Sequence, residues 1–528
     1  MQRAKSAQKT PAWHSVVQAL WHNAQHAPHR PAIAVAAHEG EEAAAWTWAD
    51  LAAAVAALVE QWRDEGIVQG DRIVTALPNS LGWVVRDLAC HTLGAIHVTL
   101  DARLATTAIQ RLIDRVEPRA ALVGNEDDVA AVTADWRHAG RLQPWRAREM
   151  ARLSRLISPD APASLLFTSG SSGEPKGVVL SHRNLLASAV AKLDASPQSG
   201  DDVRLTVLPF AHAFARTCEL STWLLTSGRL VLCCNWEELL AHASVWQPTI
   251  LNLVPYLAEQ LADVLDDEPT RLGRRLRMLN VGGAAVSERL FARLQAHGLA
   301  PVQGYGLTEA APCVCANRFG SQRPGVIGPP VLNTEIRLSE DGELWVRGPQ
   351  VMLGYWRDPR ATSETIVDGW LRTGDLADVD SAGDYRIMGR RSERFKLSTG
   401  LFVDPAAIEQ QLLKDPWIEQ AVVVGENQPS ITAWIWPAWE RLPAVWRKRS
   451  AIGETMFDAH RLAQALRNRM QIDAEHWPHY WIPRHIQLLP RRLSQEDGLL
   501  TAKGTPRRPQ IAAWLQTLSP AHVSSGEA

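Results

Sequence analysis

The sequence predicts an α/β protein in which parallel β-sheets are flanked by helices. Short apolar segments of strand length, such as residues 71–76 and 95–100, alternate with longer amphipathic segments of helix length. The same alternation recurs at residues 202–208, 228–233, 249–254 and 276–281. Because crossover helices place consecutive strands parallel and cover the faces of the sheet, this alternation favours a parallel α/β architecture.

The pattern changes after about residue 320, which is the second observation. Segments 334–338, 343–347 and 384–388 are short, alternate in polarity and are separated by Gly, Asp and Pro. Such spacing is typical of antiparallel sheet, so we expect a small β-barrel-like unit here. A smaller α/β unit begins near residue 391, after a polar, charge-rich junction around Arg390 that suits a domain boundary.

Composition limits the function classes. The 528 residues carry a formal net charge of -2, so a global basic footprint for nucleic acid is absent. No run of about 18 uncharged apolar residues predicts a spanning helix, and the N-terminus does not resemble a signal peptide. We therefore expect a cytoplasmic protein without a transmembrane segment. The six cysteines lack a zinc-binding spacing, so buried or free thiols are favoured over a metal site.

The most informative segment lies between two apolar strands, at residues 165–180. It contains four hydroxyl side chains, three glycines and one lysine. Glycines let backbone N–H groups turn toward an anion, while hydroxyls and a lysine add donors and charge. The segment therefore predicts a polyphosphate-binding loop rather than a flexible linker. Its binding positions are Thr168, Ser169, Gly170, Ser171, Ser172, Gly173 and Lys176.

This loop resembles the signature of the adenylate-forming superfamily, which comprises acyl- and aryl-CoA synthetases, luciferases and peptide-synthetase adenylation domains. Further segments match the superfamily in the same order and span almost the whole chain; they are residues 208–216, 281–285, 303–309, 369–376 and 394–405. The resemblance implies a large N-terminal domain over residues 1–389, a hinge at 390–392 and a small, mobile C-terminal α+β domain over 393–528. By position, Ser392 is the hinge residue.

The resemblance also implies roles for individual residues. His212 would line and gate the acyl pocket, although alone it would be read as a packed core histidine. Gly282, Gly283 and Ala284 would border adenine and the acyl tunnel. In the segment Gly304-Tyr305-Gly306-Leu307-Thr308-Glu309, the tyrosine would face adenine, the threonine a phosphate and the glutamate Mg²⁺. The carboxylate of Asp375 would accept hydrogen bonds from the ribose, and Arg390 would contact the ribose as well.

The family also carries two catalytic lysines near its C-terminus. Lys396 resembles the residue near the thiol-transfer site, and a solvated loop lysine is the alternative. The lysine that bridges the acyl carboxylate and the ATP phosphates is replaced by Thr505 in an ungapped alignment. We adopt the interpretation in which Lys503 takes the place of this bridging lysine. The alternatives are that Arg507 takes its place, or that the adenylation step is impaired.

These implications define an expected reaction. MgATP and a small-molecule carboxylic acid form an acyl-adenylate, and the acyl group then passes to a thiol, for which coenzyme A is our first choice. The phosphopantetheine arm of an acyl carrier protein is the alternative acceptor. The motif style at residues 208–216 and 394–405 is most like that of long-chain fatty acyl-CoA ligases, so a medium- or long-chain fatty acid is the expected substrate. A non-catalytic nucleotide or acyl binder and a luciferase-like oxygenase remain alternatives.

Overall fold

The fold is described from a computed structural model. The structure describes residues 13–36, 45–124, 142–168, 174–443, 448–449, 455–456, 459–473, 478–494, 496–500 and 506–518. Within them, no helix is both long enough and apolar enough to cross a membrane. All six cysteines lie in these ranges, and none forms a disulfide bond.

An eight-stranded sheet forms the first half of the core. Six neighbouring strands run parallel, and each edge carries one antiparallel strand. In sheet order the strands are Cys313–Ala316, Val302–Gly306, Met278–Val281, Ile250–Leu253, Val203–Thr206, Arg229–Leu232, Pro31–Val35 and Ala45–Thr47. The central strands are buried along their whole length because helices cover both faces, and apart from Asn252 and Asn280 the strands Ile250–Leu253 and Met278–Val281 are apolar, which confirms the predicted α/β class.

A six-stranded sheet forms the second half. Its strands, in sheet order, are Gly354–Tyr355, Lys176–Ser181, Pro162–Thr168, Ile96–Thr99, Arg72–Ala76 and Ala120–Val123. The last four run parallel, whereas the strands on either side of the phosphate loop pair antiparallel. The phosphate loop therefore connects the two strands of a hairpin, which holds Thr168 opposite Lys176.

Helices pack against both sheets, and several have clear sequence signals at their first turn. Thr47 and Asp50 form a capping box for the second helix, and Ser181 with Asn184 does the same for the helix that follows the phosphate hairpin. The longer helices of this part are Gln18–His26, Trp48–Asp64, Leu81–Leu93, Thr106–Val116, Pro144–Leu156, His182–Ala195, Trp236–Trp246, Pro255–Asp267 and Glu288–Ala296. The chain also forms a π-helical turn at Arg216–Ser221, between short helices at Ala213–Ala215 and Thr222–Thr226.

A buried ionic cluster lies between these helices and the six-stranded sheet. Asp87 accepts hydrogen bonds from Arg216 Nη2 at 2.5 Å and pairs with His97 Nδ1 at 2.7 Å. The rings of His91 and His182 pack edge to face beside them, 5.3 Å apart. Burial lowers the pKa of all three histidines, and for His182 the value falls to about 4 because Arg216 adds to the effect of burial.

The antiparallel unit and the C-terminal unit follow. The former contains Glu335–Leu338, Glu343–Arg347, Ile366–Val367, Trp370–Val379 and Tyr385–Arg390, with a helix at Pro359–Thr365. The C-terminal unit has a three-stranded sheet of Ile418–Val424, Thr432–Pro437 and His485–Leu488, hairpins Phe395–Lys396/Phe402–Val403 and Lys448–Arg449/Thr455–Met456, and helices Pro405–Leu412, Ala459–Asp473 and Arg508–Thr517. Its apolar cluster, from Leu397 to Ile486, is separate from the other cores. The hinge at 390–392 and the mobility of this unit remain proposals.

Candidate active site

A cavity of about 2730 Å³ lies where the carboxyl ends of the parallel strands meet the C-terminal unit. Val207, Val254, Gly283 and Leu307 line it just beyond four strands of the eight-stranded sheet. Thr168 lines it at the end of a strand of the other sheet, and Arg507 lines it from the C-terminal unit. Ligands of open α/β sheets bind at this edge, so the cavity is the natural reaction site.

Most of the site residues expected from the sequence meet in this cavity. Its lining includes Thr168, Lys176, His212, Gly283, Ala284, Gly304, Tyr305, Gly306, Thr308, Glu309, Asp375 and Arg390. Gly282 lines a smaller pocket that adjoins it. Ser169, Gly170, Ser171, Ser172 and Gly173 of the phosphate loop, together with Lys503 and Thr505, lie outside the described residues.

Asp375 is a buried carboxylate held between a tyrosine and an arginine. Tyr305 Oη donates to Asp375 Oδ2 at 2.5 Å, and Arg390 Nε lies 2.9 Å from Oδ1. Burial raises the pKa of Asp375, and the Arg390 guanidinium opposes this shift. The pKa of Tyr305 is also raised, by burial and by the adjacent carboxylate, so the phenol stays neutral and acts as the donor. Each oxygen of Asp375 thus contacts a residue that lines the cavity and keeps a second lone pair. A carboxylate with two such oxygens can accept hydrogen bonds from the two neighbouring hydroxyls of a ribose.

Gly306 occurs where only glycine fits. A Cβ at this position would collide with the carbonyl oxygen of Pro312 in the neighbouring antiparallel strand. The strand can therefore bring Tyr305 and Thr308 to the cavity only because residue 306 lacks a side chain.

Glu309 lies close to the phosphate hairpin. Tyr355 Oη donates to Glu309 Oε1 at 2.9 Å, and the Lys176 ammonium lies 4.9 Å from the centre of the Tyr355 ring. A carboxylate accepts more than one hydrogen bond or ligand, so Glu309 retains coordination capacity for a hard cation. The donor set therefore fits Mg²⁺, which Glu309 would ligate; this role and the position of Lys176 beside the phosphates stay predictions.

His212 is oriented by an acidic partner. Its Nε2 lies 3.2 Å from Asp101 Oδ2, and Arg103 contacts the same carboxylate at 2.7 Å. Burial raises the pKa of Asp101, but the hydrogen bonds from His212 and Arg103 outweigh burial and leave the pKa below its usual range. His212 follows the strand Val203–Thr206 and lines both the main cavity and the adjoining pocket, where a gate would stand.

The adjoining pocket has a volume of about 90 Å³ and shares Phe214, Gly283, Tyr305 and Thr308 with the main cavity. A Cβ on Gly282 would come within 3.0 Å of the Phe214 ring, so the glycine lets this ring pack against the strand end. Its wall combines apolar side chains, such as Leu166 and Val302, with the polar groups and thiols of Lys192, Cys218, Asn280 and Cys313.

Lys396 is not brought to the cavity. It is exposed on the hairpin Phe395–Lys396/Phe402–Val403, and its Nζ lies 5.5 Å from the centre of the Phe402 ring. A role in thiol transfer would require the C-terminal unit to move, which is the rotation that the family resemblance implies.

The segment after Arg390 is anchored to the antiparallel unit. Arg391 pairs with Asp341 and with the buried Glu343, both at 2.9 Å, and Glu343 Oε1 also accepts from the Gly374 N–H at 3.1 Å. The Glu343 carboxylate therefore links Gly374, the residue before Asp375, to Arg391, the residue after Arg390.

Sequence reasoning missed Tyr355, Glu343, Lys192 and Asn280. Tyr355 follows a Gly in a two-residue edge strand and Glu343 begins a strand, so neither belongs to a recognisable motif. Lys192 occupies the third turn of an alanine-rich helix, where a lysine is ordinarily a surface residue. The helical spacing of Lys192 with Ser188 and Ser196, a polar stripe on one face, is the signal that could have identified it.

The fold and the site together match an α/β enzyme with a large cavity at the carboxyl ends of its strands and a smaller pocket beside it. The chain belongs to the family of AMP-binding enzymes, whose pattern matches residues 20–356. A feruloyl-CoA synthase from Amycolatopsis sp. is 32% identical over 426 residues, which cover 77% of this chain and 84% of that protein. The long-chain-fatty-acid–CoA ligase FadD15 of Mycobacterium bovis is 27% identical over 533 residues, covering 85% and 87%.

Solved structures share the fold. ATP-bound MatB from Rhodopseudomonas palustris superposes with a TM-score of 0.75 at 21% sequence identity, covering 96% of this chain and 99% of that one. With the family match, these relatives define the chain as an AMP-forming acid–thiol ligase.

Proposed function

We propose that this ligase activates a compact carboxylic acid, with an aromatic or short acyl group, and transfers it to coenzyme A. The observation that supports this substrate class is the adjoining pocket, which is about 90 Å³ in volume and ends at Lys192 and Asn280. A long alkyl tail would bring an apolar terminus against buried polar groups, which carries a desolvation cost. The name of the feruloyl-CoA synthase relative supports an aromatic acid as well.

The fatty acid expected from the sequence remains a prediction, which the name of the FadD15 relative supports. The two substrate classes differ in what they require of the pocket. A medium or long chain needs a route past Lys192 or into the main cavity, whereas a ring or short chain fits in front of it.

In the proposed first step, an oxygen of the acid attacks the α-phosphorus of ATP and pyrophosphate leaves. Lys176 and the phosphate hairpin hold the phosphates, Asp375 and Arg390 hold the ribose, and Tyr305 packs against adenine. Bound through Glu309, Mg²⁺ would neutralise charge on the phosphates. Preorganised charges of this kind contribute most when water is excluded, which closure of the C-terminal unit over the cavity would provide.

In the proposed second step, the thiol sulfur attacks the carbonyl carbon of the acyl-adenylate, AMP leaves, and the thiol proton is released. Rotation about residues 390–392 would bring Lys396 to the cavity in place of the segment around Lys503. Exchange of catalytic groups by domain rotation lets one cavity serve both steps.

Coenzyme A remains the preferred acceptor over an acyl carrier protein. Arg507 and Arg508 form a basic pair that could contact an acidic carrier protein, but Arg508 is bound by Glu409 at 2.7 Å and by Glu393 at 3.0 Å. Its charge is thus compensated within the chain, which weakens the argument for an acidic partner at this place. Cytoplasmic residence also remains a prediction.

The test is ATP–pyrophosphate exchange with matched acids: benzoate and cinnamate against octanoate and palmitate. We expect exchange with the aromatic acids, followed by thioester formation when coenzyme A is added. Exchange with palmitate alone would contradict the compact-acid proposal and restore the fatty acid. Thioester formed only on a carrier protein would replace the acceptor.

A further inference from the structure

Lys192, on the helix His182–Ala195, lines the adjoining pocket but not the main cavity, and only 5% of the residue is exposed. Its Nζ donates to Asn280 Oδ1 at 2.6 Å and to Ser196 Oγ at 2.8 Å. An ammonium group has three N–H donors, so these two bonds leave one donor for a group in the pocket.

The side-chain NH₂ group of Asn280 has no hydrogen-bond partner among the described residues. Asn280 is 1% exposed, and its Oδ1 accepts from both Lys192 and Ser196, the latter at 3.0 Å. The opposite amide orientation would place the NH₂ group against the ammonium, so the contacts fix the oxygen on the lysine side. The Asn280 Nδ2 is buried and makes no hydrogen bond among the described residues. Unpaired buried donors are costly and rare, so they indicate a missing acceptor.

Two buried cations, one buried carboxylate and two thiols surround this end of the pocket. Arg204 and Lys192 are both buried, and Glu219 is the carboxylate among the groups that act on Lys192, with Cys218 and Cys313 as the neighbouring thiols. Burial raises the pKa of Glu219 to about 7 although Arg204 opposes the shift, whereas burial lowers the pKa of Lys192. An oxygen acceptor, neutral or anionic, suits this environment better than a methyl group does.

We infer that Lys192 and Asn280 select acids that carry an oxygen acceptor at the end opposite to the reacting carboxylate, such as a ring hydroxyl, a ketone or a second carboxylate. The inference rests on the proposed function, because the pocket is taken as the acyl site. The reacting carboxylate enters from the side of Thr308 and His212, and the distal oxygen meets Lys192 Nζ and Asn280 Nδ2. Recognition of a substrate oxygen by buried donors discriminates strongly against analogues that lack it.

The test uses pairs of acids that differ only at the distal end: 4-hydroxycinnamate with cinnamate, and adipate with hexanoate. Affinity is measured by titration calorimetry in the presence of a non-hydrolysable ATP analogue, and ATP–pyrophosphate exchange is measured in parallel. The wild-type protein should prefer the member with the distal oxygen in at least one pair, by about tenfold to a hundredfold in Kd. In Lys192→Met, which preserves side-chain length, that preference should fall below about threefold.

Two further variants control for folding and position. Asn280→Leu should reduce the preference in the same direction as Lys192→Met. Ser196→Ala removes a partner of Lys192 that does not line the pocket, and it should retain the preference. Equal binding of both members of each pair by the wild type, or a preference that survives in both Lys192→Met and Asn280→Leu, would overturn the inference.

Binding separates this inference from the proposed function. Selective binding without exchange would refute the ligase activity on these acids while supporting the distal site. Exchange without a Lys192-dependent preference would support the activity and refute the distal site. Absence of binding by every acid would refute both.

Discussion

The hydroxyl of Tyr305 and the carboxylate of Asp375 lie 2.5 Å apart, although 70 residues separate them in the chain. The tyrosine belongs to the eight-stranded sheet and the aspartate to the antiparallel unit. Arg390, 2.9 Å from the same carboxylate, is the last residue of that unit's final strand. A nucleotide bound here would therefore contact the eight-stranded sheet, the antiparallel unit and Arg390, the first residue of the proposed hinge.

The first prediction concerns this carboxylate. Asp375→Asn should weaken ATP binding by about tenfold to a hundredfold, because charged hydrogen bonds to the ribose are lost. Tyr305→Phe should lose less, since it preserves the ring against adenine and the ribose can supply the missing donor. Titration calorimetry with ATP checks both. Equal losses in the two variants, or wild-type affinity in Asp375→Asn, would contradict the assigned roles.

The second prediction concerns the lysine displaced near the C-terminus. Lys503→Ala should slow pyrophosphate release by about 10²–10³, the usual effect of losing a preorganised charge in the transition state. Arg507 lines the cavity, and its backbone N–H donates a hydrogen bond to the Leu499 carbonyl oxygen at 2.8 Å. We expect Arg507→Ala to slow release much less, and Lys503→Arg to recover part of the rate.

The outcome of that comparison separates three readings of the segment. A large effect of Arg507→Ala alone would transfer the role to the arginine. If neither alanine variant slows pyrophosphate release, the adenylation step of the wild-type protein already lacks a cation at this position.

The third prediction concerns the proposed hinge. Ser392 lies in a short 3₁₀ turn, Arg391–Glu393, between the antiparallel unit and the C-terminal unit. Ser392→Pro fixes the backbone torsion φ, so it should block rotation while leaving the adenylation conformation usable. Single-turnover pyrophosphate release should stay near the wild-type rate, and thioester formation should fall by at least about tenfold. Ser392→Ala should preserve both rates; normal thioester formation in the proline variant would exclude a hinge at this residue.

The fourth prediction concerns acid sensitivity of folding. The pKa of His182 is about 4 in the folded protein because of burial and Arg216, against an ordinary value of 6.5. Between pH 6.5 and 4 the unfolded chain binds a proton that the folded chain does not, so the free energy of unfolding decreases as pH falls through this window. His182 alone would account for roughly 3 kcal/mol of that decrease.

His182→Gln should therefore lose less stability than the wild type between pH 7.5 and pH 5. His91 and His97 also have lowered pKa values, so some decrease should remain in the variant. Urea unfolding at both pH values measures the difference. Identical losses in the two proteins would show that His182 does not contribute.

Much of the fold follows from short apolar segments of the sequence. The segments at 249–254 and 276–281 became the buried strands Ile250–Leu253 and Met278–Val281 because all residues of these strands except Asn252 and Asn280 are apolar, as suits a sheet covered by helices. The antiparallel edge strands, such as Cys313–Ala316, were not predicted, since a four-residue strand with no hairpin signal cannot be distinguished from a loop by pattern.

The sequence predicted the site residues motif by motif. It did not predict which of these residues contact one another or which further residues contact them. The sequence identified Glu309 but not Tyr355, whose hydroxyl holds that carboxylate, because their contact depends on how two sheets pack. The motif style at residues 208–216 and 394–405 indicated a fatty acid, which stays a prediction; Lys192 and Asn280, which line the adjoining pocket, lie outside those segments. The polar stripe of Ser188, Lys192 and Ser196 is the one local signal of this buried lysine, and the packing of its helix shows which groups it meets.

The most direct test of the central claim is ATP–pyrophosphate exchange by the purified protein with Mg²⁺ and a panel of carboxylic acids. The account predicts acid-dependent exchange that stops when Mg²⁺ is chelated and is reduced by Asp375→Asn. It predicts the highest rates for compact acids, with palmitate below them. Exchange that is absent for every acid, or that is unaffected by Asp375→Asn, would contradict adenylation in this cavity.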